Sequence, residues 1–452
     1  MEEDMNPRLI GTTVIAALGG LLFGFDTAVI SGTIQRLQAE FGLTSFWLGF
    51  TVASALIGTI AGSVAAGGPA DRFGRKGTLL IVAQLYLVSA VGSALAWDWI
   101  SFVAFRFIGG LGVGGASVVS PMYIAELSPA RYRGRLVAVT QFNIVLGILL
   151  AFFSNYYIAG MDLGAIDWRW MFGVEAIPAI AFFLLLFLVP RSPRWLVARN
   201  RIEEAAAVLE RYGTDTGNVG SEIDEIRNSL RTERRALREP LFQRRYRRPI
   251  MLAVAIAAFN QLSGINAVMY YAPRIFEMAG SGTSSALLQT VAVGGTNLIL
   301  TMAALALIDR IGRRKLMLAG SLGYIISLGV TAWAFCHYGS TFTETGGAIV
   351  LAGLLVFIAS HAFGQGAVIW VFLGEIFPTA VRARGQALGS SVHWIMAAAI
   401  SWTFPMIAGL SGGYTFVFYA LCMIGQLIWV IRAMPETKGV TLEEMQRQLG
   451  ME

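Results

Sequence analysis

The chain has 452 residues, of which 56% are hydrophobic and 14% charged, with a net charge of +6 and a mean hydropathy of +0.63. A soluble globular protein carries about a quarter charged residues, so a water-soluble fold is excluded. The charges are also segregated: Arg191 to Arg248 holds 14 arginines and 9 acids, which leaves 39 charged residues for the other 394 positions.

Residues Met1 to Pro7 are acidic and lack the basic region and cleavage site of a signal peptide, so the first apolar run reads as a retained span. Twelve apolar runs follow, each about the 20 residues that a helix needs to cross a bilayer core. The first six are Leu9 to Ile30, Phe46 to Gly67, Thr78 to Ala96, Ile100 to Tyr123, Leu136 to Ile158 and Trp170 to Val189. The second six are Pro249 to Tyr271, Ser285 to Ile308, Leu316 to Phe335, Gly347 to Phe372, Gln386 to Leu410 and Tyr414 to Ile431. Strands of a membrane barrel would be half as long and would alternate polar with apolar, which these runs do not.

The fold class is therefore an all-α integral membrane protein of twelve spans. Its expected parts are a six-helix half at 1–190, a helical linker at 191–248, a second six-helix half at 249–433 and a tail at 434–452. With both termini in the cytoplasm, 30 of the 34 Lys and Arg residues fall inside. Arg36, Arg169 and Arg274 fall outside and Arg106 within the membrane, so the positive-inside rule fixes this orientation. The basic linker, balanced by its acids and set between two membrane halves, reads as a segment facing anionic lipid and not as a nucleic-acid patch.

The two halves repeat each other. After span 2 comes Asp71-Arg72-Phe73-Gly74-Arg75-Lys76, and after span 8 comes Asp309-Arg310-Ile311-Gly312-Arg313-Arg314. After span 4, Glu126 precedes Pro129 and Arg133; after span 10, Glu375 precedes Pro378 and Arg382 at the same offsets. Each unit has an even number of spans, so the repeats are parallel and related by an axis along the membrane normal, an arrangement suited to alternating access around a midplane site. The Asp, Glu and Arg residues are expected to pair across the halves and lock the inner mouth. Ser54, Gly58, Gly62 and Ala66, and separately Gly110 and Gly114, form small-residue stripes that read as close helix packing.

Three charges lie inside spans, Asp26, Arg106 and Glu175, all in the first half. Such charges are costly and tend to be functional. An Asp beside an Arg stays ionised while paired and protonates when the partner moves, which couples a proton to a conformational change. Asn260, Gln261 and Asn266 in span 7, Gln141 in span 5 and Asn297 in span 8 place paired hydrogen-bond donors and acceptors within the spans, and Trp370 and Trp394 offer flat apolar faces. Gln261 and Asn266 would diverge by about 140° on an ideal helix, so Gly264 between them predicts a local break. His337 is expected at an outer, solvent-facing end, and His361 and His393 lie within spans, where a lone His reads as a hydrogen-bonded helix contact. Cys336 and Cys422 give neither a disulfide framework nor a metal site, and no residue cluster has nucleophile spacing. No nucleotide-binding loop is present, so energy comes from an ion gradient or from the cargo's own gradient.

Taken together, the two D-R-x-G-R-[RK] loops, Pro121-Met-Tyr123-Ile-Ala-Glu126, Pro190-Arg-Ser-Pro193-Arg194-Trp195, Gln261-Leu-Ser-Gly264-Ile-Asn266 and Pro435-Glu436-Thr437-Lys438-Gly439 resemble the sugar porter branch of the major facilitator superfamily. The resemblance implies a proton-coupled monosaccharide symporter, the alternatives being a facilitative uniporter, a myo-inositol transporter or a nontransporting sensor. It implies a sugar site of Gln141, Asn260, Gln261, Asn266, Tyr270, Asn297, Gly366, Trp370, His393 and Trp394, a proton path through Asp26, Arg106 and Glu175, and a gate that includes Glu436. It further implies a monomer in the cell membrane that is not an enzyme and uses no cofactor or metal. Four positions depart from the family's pattern or bear on the cargo. Asn260 and His393 stand where the family favours other amides, and Arg191 stands where it has Glu. Ile148 is Gln in a xylose-specific relative and Ile in many hexose carriers, which leans towards hexoses.

Overall fold

The computed structural model describes residues 6–212, 218–236, 239–339 and 341–451. Twelve of its helices are long and apolar enough to cross a membrane. Spans 1 to 6 are Pro7–Gly32, Ser45–Arg72, Gly74–Ala94, Trp99–Leu127, Ala130–Ala159 and Gly164–Leu188. Spans 7 to 12 are Arg244–Met278, Thr283–Ile311, Arg313–Tyr338, Glu344–Glu375, Arg382–Leu410 and Gly412–Arg432. Several run a turn or more past the apolar stretch into charged sequence: span 5 starts at Ala130 and so includes Arg131, Arg133 and Arg135. Backbone bonding continues wherever water satisfies the side chains, so apolar length sets the membrane part of a helix and not its ends.

Helix starts follow the capping chemistry. Asp98 accepts from the Ser101 amide at 2.7 Å while the Ser101 hydroxyl receives the Asp98 amide, a reciprocal box that starts span 4. Ser192, Thr343 and Ser411 cap their helices in the same way with one side-chain oxygen each.

Spans 6, 7 and 10 are interrupted near the candidate site. Span 7 stops at Leu262 and restarts at Ile265 through Gly264, whose φ of +84° is left-handed and whose missing side chain leaves room for the Tyr419 ring. Span 6 breaks between Gly173 and Ala176, placing Glu175 at the break. Span 10 passes through a π-turn over Ala362–Gly366.

By internal contacts the chain forms two compact units. One takes span 1 up to Val29, Ser54–Ser154 and Gly164–Arg235; the other takes Ile30–Ala53, Asn155–Leu163 and the chain from Ala236 onward. The C-terminal ends of spans 1 and 5 and the N-terminal end of span 2 thus group with the second unit. Within that unit Gly49 lies so close to Trp402 of span 11 that a Cβ would stand 2.0 Å from its carbonyl oxygen, and Arg274 of span 7 donates to Gln38 at 3.0 Å.

In the first unit the small-residue stripes do what their spacing predicts. A Cβ on Gly58 would reach the Phe107 carbonyl at 2.2 Å, and one on Gly110 the Ala55 carbonyl at 1.9 Å, so spans 2 and 4 touch backbone to backbone. Spans 1 and 5 meet likewise at Gly24 and Gly147. The core of this unit is built around Tyr86, Tyr123 and Phe182, and that of the second around Met317, Phe372 and Phe377. The tail helix Leu442–Gln448 joins the second core through Met445, Leu449 and Met451. In the linker, helices Ile202–Tyr212 and Val219–Ala236 bury Leu209 and Ile223 against Trp195.

Candidate functional site

The intramembrane charges meet. Span 4 carries Arg106 to span 1, where Nη1 lies 2.7 Å from Asp26 Oδ1 and Nη2 donates to the Asp26 carbonyl at 2.9 Å. Both side chains are essentially fully buried, at 1% and 0% exposure. Phe172 of span 6 lies under the guanidinium, 5.2 Å from its centre, which spreads the cation over a ring face. Gly109 is required beside this pair, because a Cβ there would stand 3.0 Å from Asp26 Oδ1 and 2.3 Å from Ser89 Oγ.

The break in span 6 delivers Glu175 to the same interior, close enough that Asp26 and Arg106 both act on its carboxyl electrostatically. Both Glu175 carboxyl oxygens, and Asp26 Oδ2, are buried with no hydrogen-bond partner among the described residues. Two carboxyls thus share one guanidinium, and the geometry commits that guanidinium to Asp26. Low-dielectric surroundings penalise a second unpaired anion heavily. Tyr86 of span 3, which the sequence reading passed over, is the other titratable group near both carboxyls; an aromatic in an apolar run gives no signal of its role.

In the second unit the break at Gly264 divides span 7 into Arg247–Leu262 and Ile265–Met278. Gln261 donates to Asn260 Oδ1 at 2.9 Å and lies 3.3 Å from both ring nitrogens of His393 in span 11, while its own Oε1 has no partner among the described residues. The His393 ring sits 5.1 Å from that of Trp370 in span 10 and 4.9 Å from that of Trp394. The structure therefore brings Asn260, Gln261, Trp370, His393 and Trp394 together. Asn266 is half-buried in the first turn past the break, and Tyr270 is buried. Asn297 is buried on span 8, where it accepts from Thr301 at 3.3 Å. Gly366 closes the π-turn, and the His361 ring occupies the space a side chain there would need. Gln141 lies half-buried on span 5 of the first unit. His337 is exposed and stacked on Trp333, and His361 is bonded to Tyr324 at 2.6 Å, a helix contact as its setting suggests.

At the helix ends that carry the repeated motifs the expected partners form differently from the reading across halves: each cluster closes inside its own half. Arg75 bonds Glu126 at 2.8 Å and Asp71 at 3.6 Å, and Ser192 donates to the other Glu126 oxygen. Arg313 grips Glu375 with two donors, at 2.8 and 3.2 Å, and pairs with Asp309 at 2.9 Å, while Thr437 donates to Glu375. The reason is register: i,i+4 spacing puts each Asp beside its own Arg, and the Glu ends the neighbouring helix two spans on. Arg133 and Arg382 each turn back to the chain's own backbone, at Ser128 and Phe377 respectively.

One corner differs from its copy. Glu436 accepts the backbone amides of Arg313 and Arg314 at 2.9 and 3.1 Å, a carboxylate on the positive end of span 9. At the matching corner Arg191 lies 5.3 Å over the Trp195 ring, and that ring fills the space beside Gly74 that Glu436 fills beside Gly312.

This duplicated architecture has relatives. The chain matches the family model described as sugar (and other) transporter over residues 12–449. The chain belongs to the sugar transporter family. The D-xylose-proton symporter of Escherichia coli (strain K12) is 39% identical, with 97% of this chain and 95% of the relative covered. The glucose transport protein of Synechocystis sp. is also 39% identical, with 95% of each covered. Among solved structures, the partially occluded inward-open conformation of the E. coli xylose transporter XylE matches with a TM-score of 0.85 at 38% identity, covering 96% of this chain and 99% of that one. The proton:xylose symporter of the major facilitator superfamily bound to 6-bromo-6-deoxy-D-glucose matches at 0.79. This transporter is accordingly a twelve-span, multi-pass membrane protein of the major facilitator fold and not an enzyme.

Proposed function

We propose that the chain is a proton-coupled monosaccharide symporter that works by alternating access. The observation that carries this reading is the buried Asp26–Arg106 pair with Glu175 beside it: two carboxyls and one cation hold one negative charge stably, and the second charge is held off by a proton. Loss of the pair's geometry as the halves rock would let the proton leave, which ties its movement to the conformational cycle. The similarity to xylose-proton and arabinose-proton symporters supports the same coupling.

The sugar would be held by amides and stacked rings. Asn260, Gln261, Asn266 and Asn297, with Gln141 and Tyr270, supply paired donors and acceptors; Gln261 Oε1, buried and unpartnered among the described residues, is the acceptor a sugar hydroxyl satisfies. His393 fixes Gln261, Trp370 and Trp394 present apolar faces, and Gly366 keeps the wall clear. Similarity to glucose and pentose carriers supports a hexose or pentose as cargo. The inner clusters, Asp71, Arg75, Glu126 and Arg133 in one half and Asp309, Arg313, Glu375, Arg382 and Glu436 in the other, would brace helix ends that separate and regroup in the cycle. We further propose that both termini, the linker at 191–248 and the tail at 434–452 face the cytoplasm, as the positive-inside rule requires, and that the protein works as a monomer in the cell membrane.

Sugar added to proteoliposomes loaded with a pH-sensitive dye tests the reading. Sugar uptake should carry protons inward and acidify the lumen, with matching alkalinisation outside. Uptake without proton movement would leave facilitated diffusion instead.

A further inference from the structure

Span 10 holds the one π-turn among the described residues, Ala362–Gly366, between α-helical Glu344–His361 and Ala367–Glu375. Such a turn inserts one residue into the helical register and is retained only where surrounding contacts hold it. Removing the insertion would rotate everything beyond it by about 100°. Gly366 and Trp370 lie at and beyond that point.

Two side-chain bridges anchor the turn, one from each end. His361, the last residue before it, is hydrogen-bonded through Nδ1 to the Tyr324 hydroxyl of span 9, 2.6 Å away. Gln365, inside the turn, donates to Gln426 of span 12, which donates in turn to Ser321 of span 9 at 2.8 Å. Tyr324, Gln365, Gln426 and Ser321 are all fully buried. Between the bridges Gly364 presses on Gly320, where a Cβ would come within 3.0 Å of the Gly320 Cα, so the turn lies directly on span 9. The His361 ring backs Gly366, its Nε2 standing 3.2 Å from where a Cβ would be.

We propose that the Tyr324–His361 and Ser321–Gln426–Gln365 bridges hold the π-turn of span 10 and so set the rotational register in which Gly366 and Trp370 meet the sugar. His361 and Gln365 are positioning residues, acting through Gly366 and Trp370. Buried polar groups in an otherwise apolar bundle are costly, the more so as Gln365 Oε1 has no partner among the described residues, and this geometry employs them where span 10 departs from its α-helical path. The proposal rests on the reading of Trp370 as a sugar-site residue, so its test has two independent readouts.

The first is thiol labelling. In a Cys336→Ser, Cys422→Ser background, single cysteines at Ile369, Trp370 and Val371 report which face of span 10 is open. Trp370 is the exposed one of the three, so W370C should label fastest. Adding Gln365→Leu with Gln426→Leu removes both amides together, and Ser321 keeps its hydroxyl bond to the Met317 carbonyl at 2.7 Å. The fastest-labelling position should then move to 369 or 371. The second readout is sugar counterflow with Trp370 intact, where the same pair of substitutions should raise KM roughly tenfold, the equivalent of one displaced stacking contact. Tyr324→Phe keeps the ring and its packing while deleting one hydroxyl, and should raise KM about two- to fivefold. His361→Asn, which keeps an acceptor for Tyr324, should restore most of what His361→Phe loses. An unmoved labelling pattern in both the Gln365/Gln426 and Tyr324 variants would overturn the proposal. A moved pattern with unchanged KM would uphold the clamp and overturn the assignment of Trp370 to the sugar site.

Discussion

Replacing Asp26 with Asn tests the coupling reading most directly, because it removes one charge and almost no volume. In the native interior Arg106 is 1% exposed and bound to Asp26 by two hydrogen bonds, one to the carboxylate and one to the carbonyl. Removing one partner of a buried pair ordinarily costs about 3–5 kcal/mol, since the remaining charge has nothing to balance it. Here Glu175 is close enough to serve, so Asp26→Asn should cost well under that figure, whereas Asp26→Asn with Glu175→Gln should cost the full amount. The same logic fixes the transport phenotype. A membrane potential of about 100 mV supplies ~2.3 kcal/mol per proton, enough for a roughly 50-fold sugar gradient at one proton per sugar. Asp26→Asn should bring steady accumulation in proteoliposomes close to unity while sugar counterflow, which needs no proton, continues. Accumulation retained at the native level in Asp26→Asn would refute the mechanism, and equal stability losses in the single and double variants would refute the shared-charge arrangement.

Four further outcomes follow from local geometry. Gly264→Ala places a side chain at φ +84°, costing about 1–2 kcal/mol of backbone strain, and drives a Cβ to 2.7 Å from the Tyr419 ring; sugar KM should rise with little change in exchange at saturation, measured by counterflow. Arg191→Glu puts a carboxylate at the corner that Glu436 caps in the other half and should stabilise the protein by ~0.3–1 kcal/mol in a detergent thermal-shift assay; a loss would mean that the Arg191–Trp195 stack outweighs the cap. Arg313→Lys cannot reproduce the two-donor grip on Glu375; transport should fall several-fold in the uptake assay, and an unchanged rate would remove this contact from the cycle. The amide and hydroxyl of Ser101 hold the exposed Asp98 carboxyl below its usual range, so its capping contribution is complete above about pH 4 and is lost as pH falls through the lower folded value. The acid-side stability change of native protein should therefore shrink in Asp98→Ala, read as melting temperature against pH.

Composition and spacing carried the architecture. Twelve apolar runs gave twelve spans because helix length against bilayer thickness is a one-dimensional constraint, readable from the chain alone. Matched Glu, Pro and Arg offsets exposed the duplication, and Gly264 between two amides announced its break because only a left-handed residue reconciles them. What stayed hidden was pairing. Nothing in the order of residues says that Arg75 turns to Glu126 of its own half, since the choice depends on which helix ends the fold juxtaposes. The π-turn was invisible too: span 10 is apolar nearly all round, so an inserted residue leaves no phase shift in its pattern. Tyr324, Gln365 and Gln426 read singly as routine helix contacts, and their joint role depends on three spans meeting. The break in span 6 was equally silent, although Glu175 in an apolar run pointed to its consequence.

The seam between spans 2 and 4 bears on what can move. Along it Gly58, Gly62, Gly110 and Gly114 leave carbonyl oxygens of one helix within reach of the α-carbons of the other, and no methyl fits at any of the four. A joint of this kind behaves as a weld: neither helix can slide or roll without driving backbone into backbone, and no lipid tail can enter between them. Whatever deformation the transport cycle asks of the first half must be absorbed by its looser joints, above all the broken span 6 that carries Glu175.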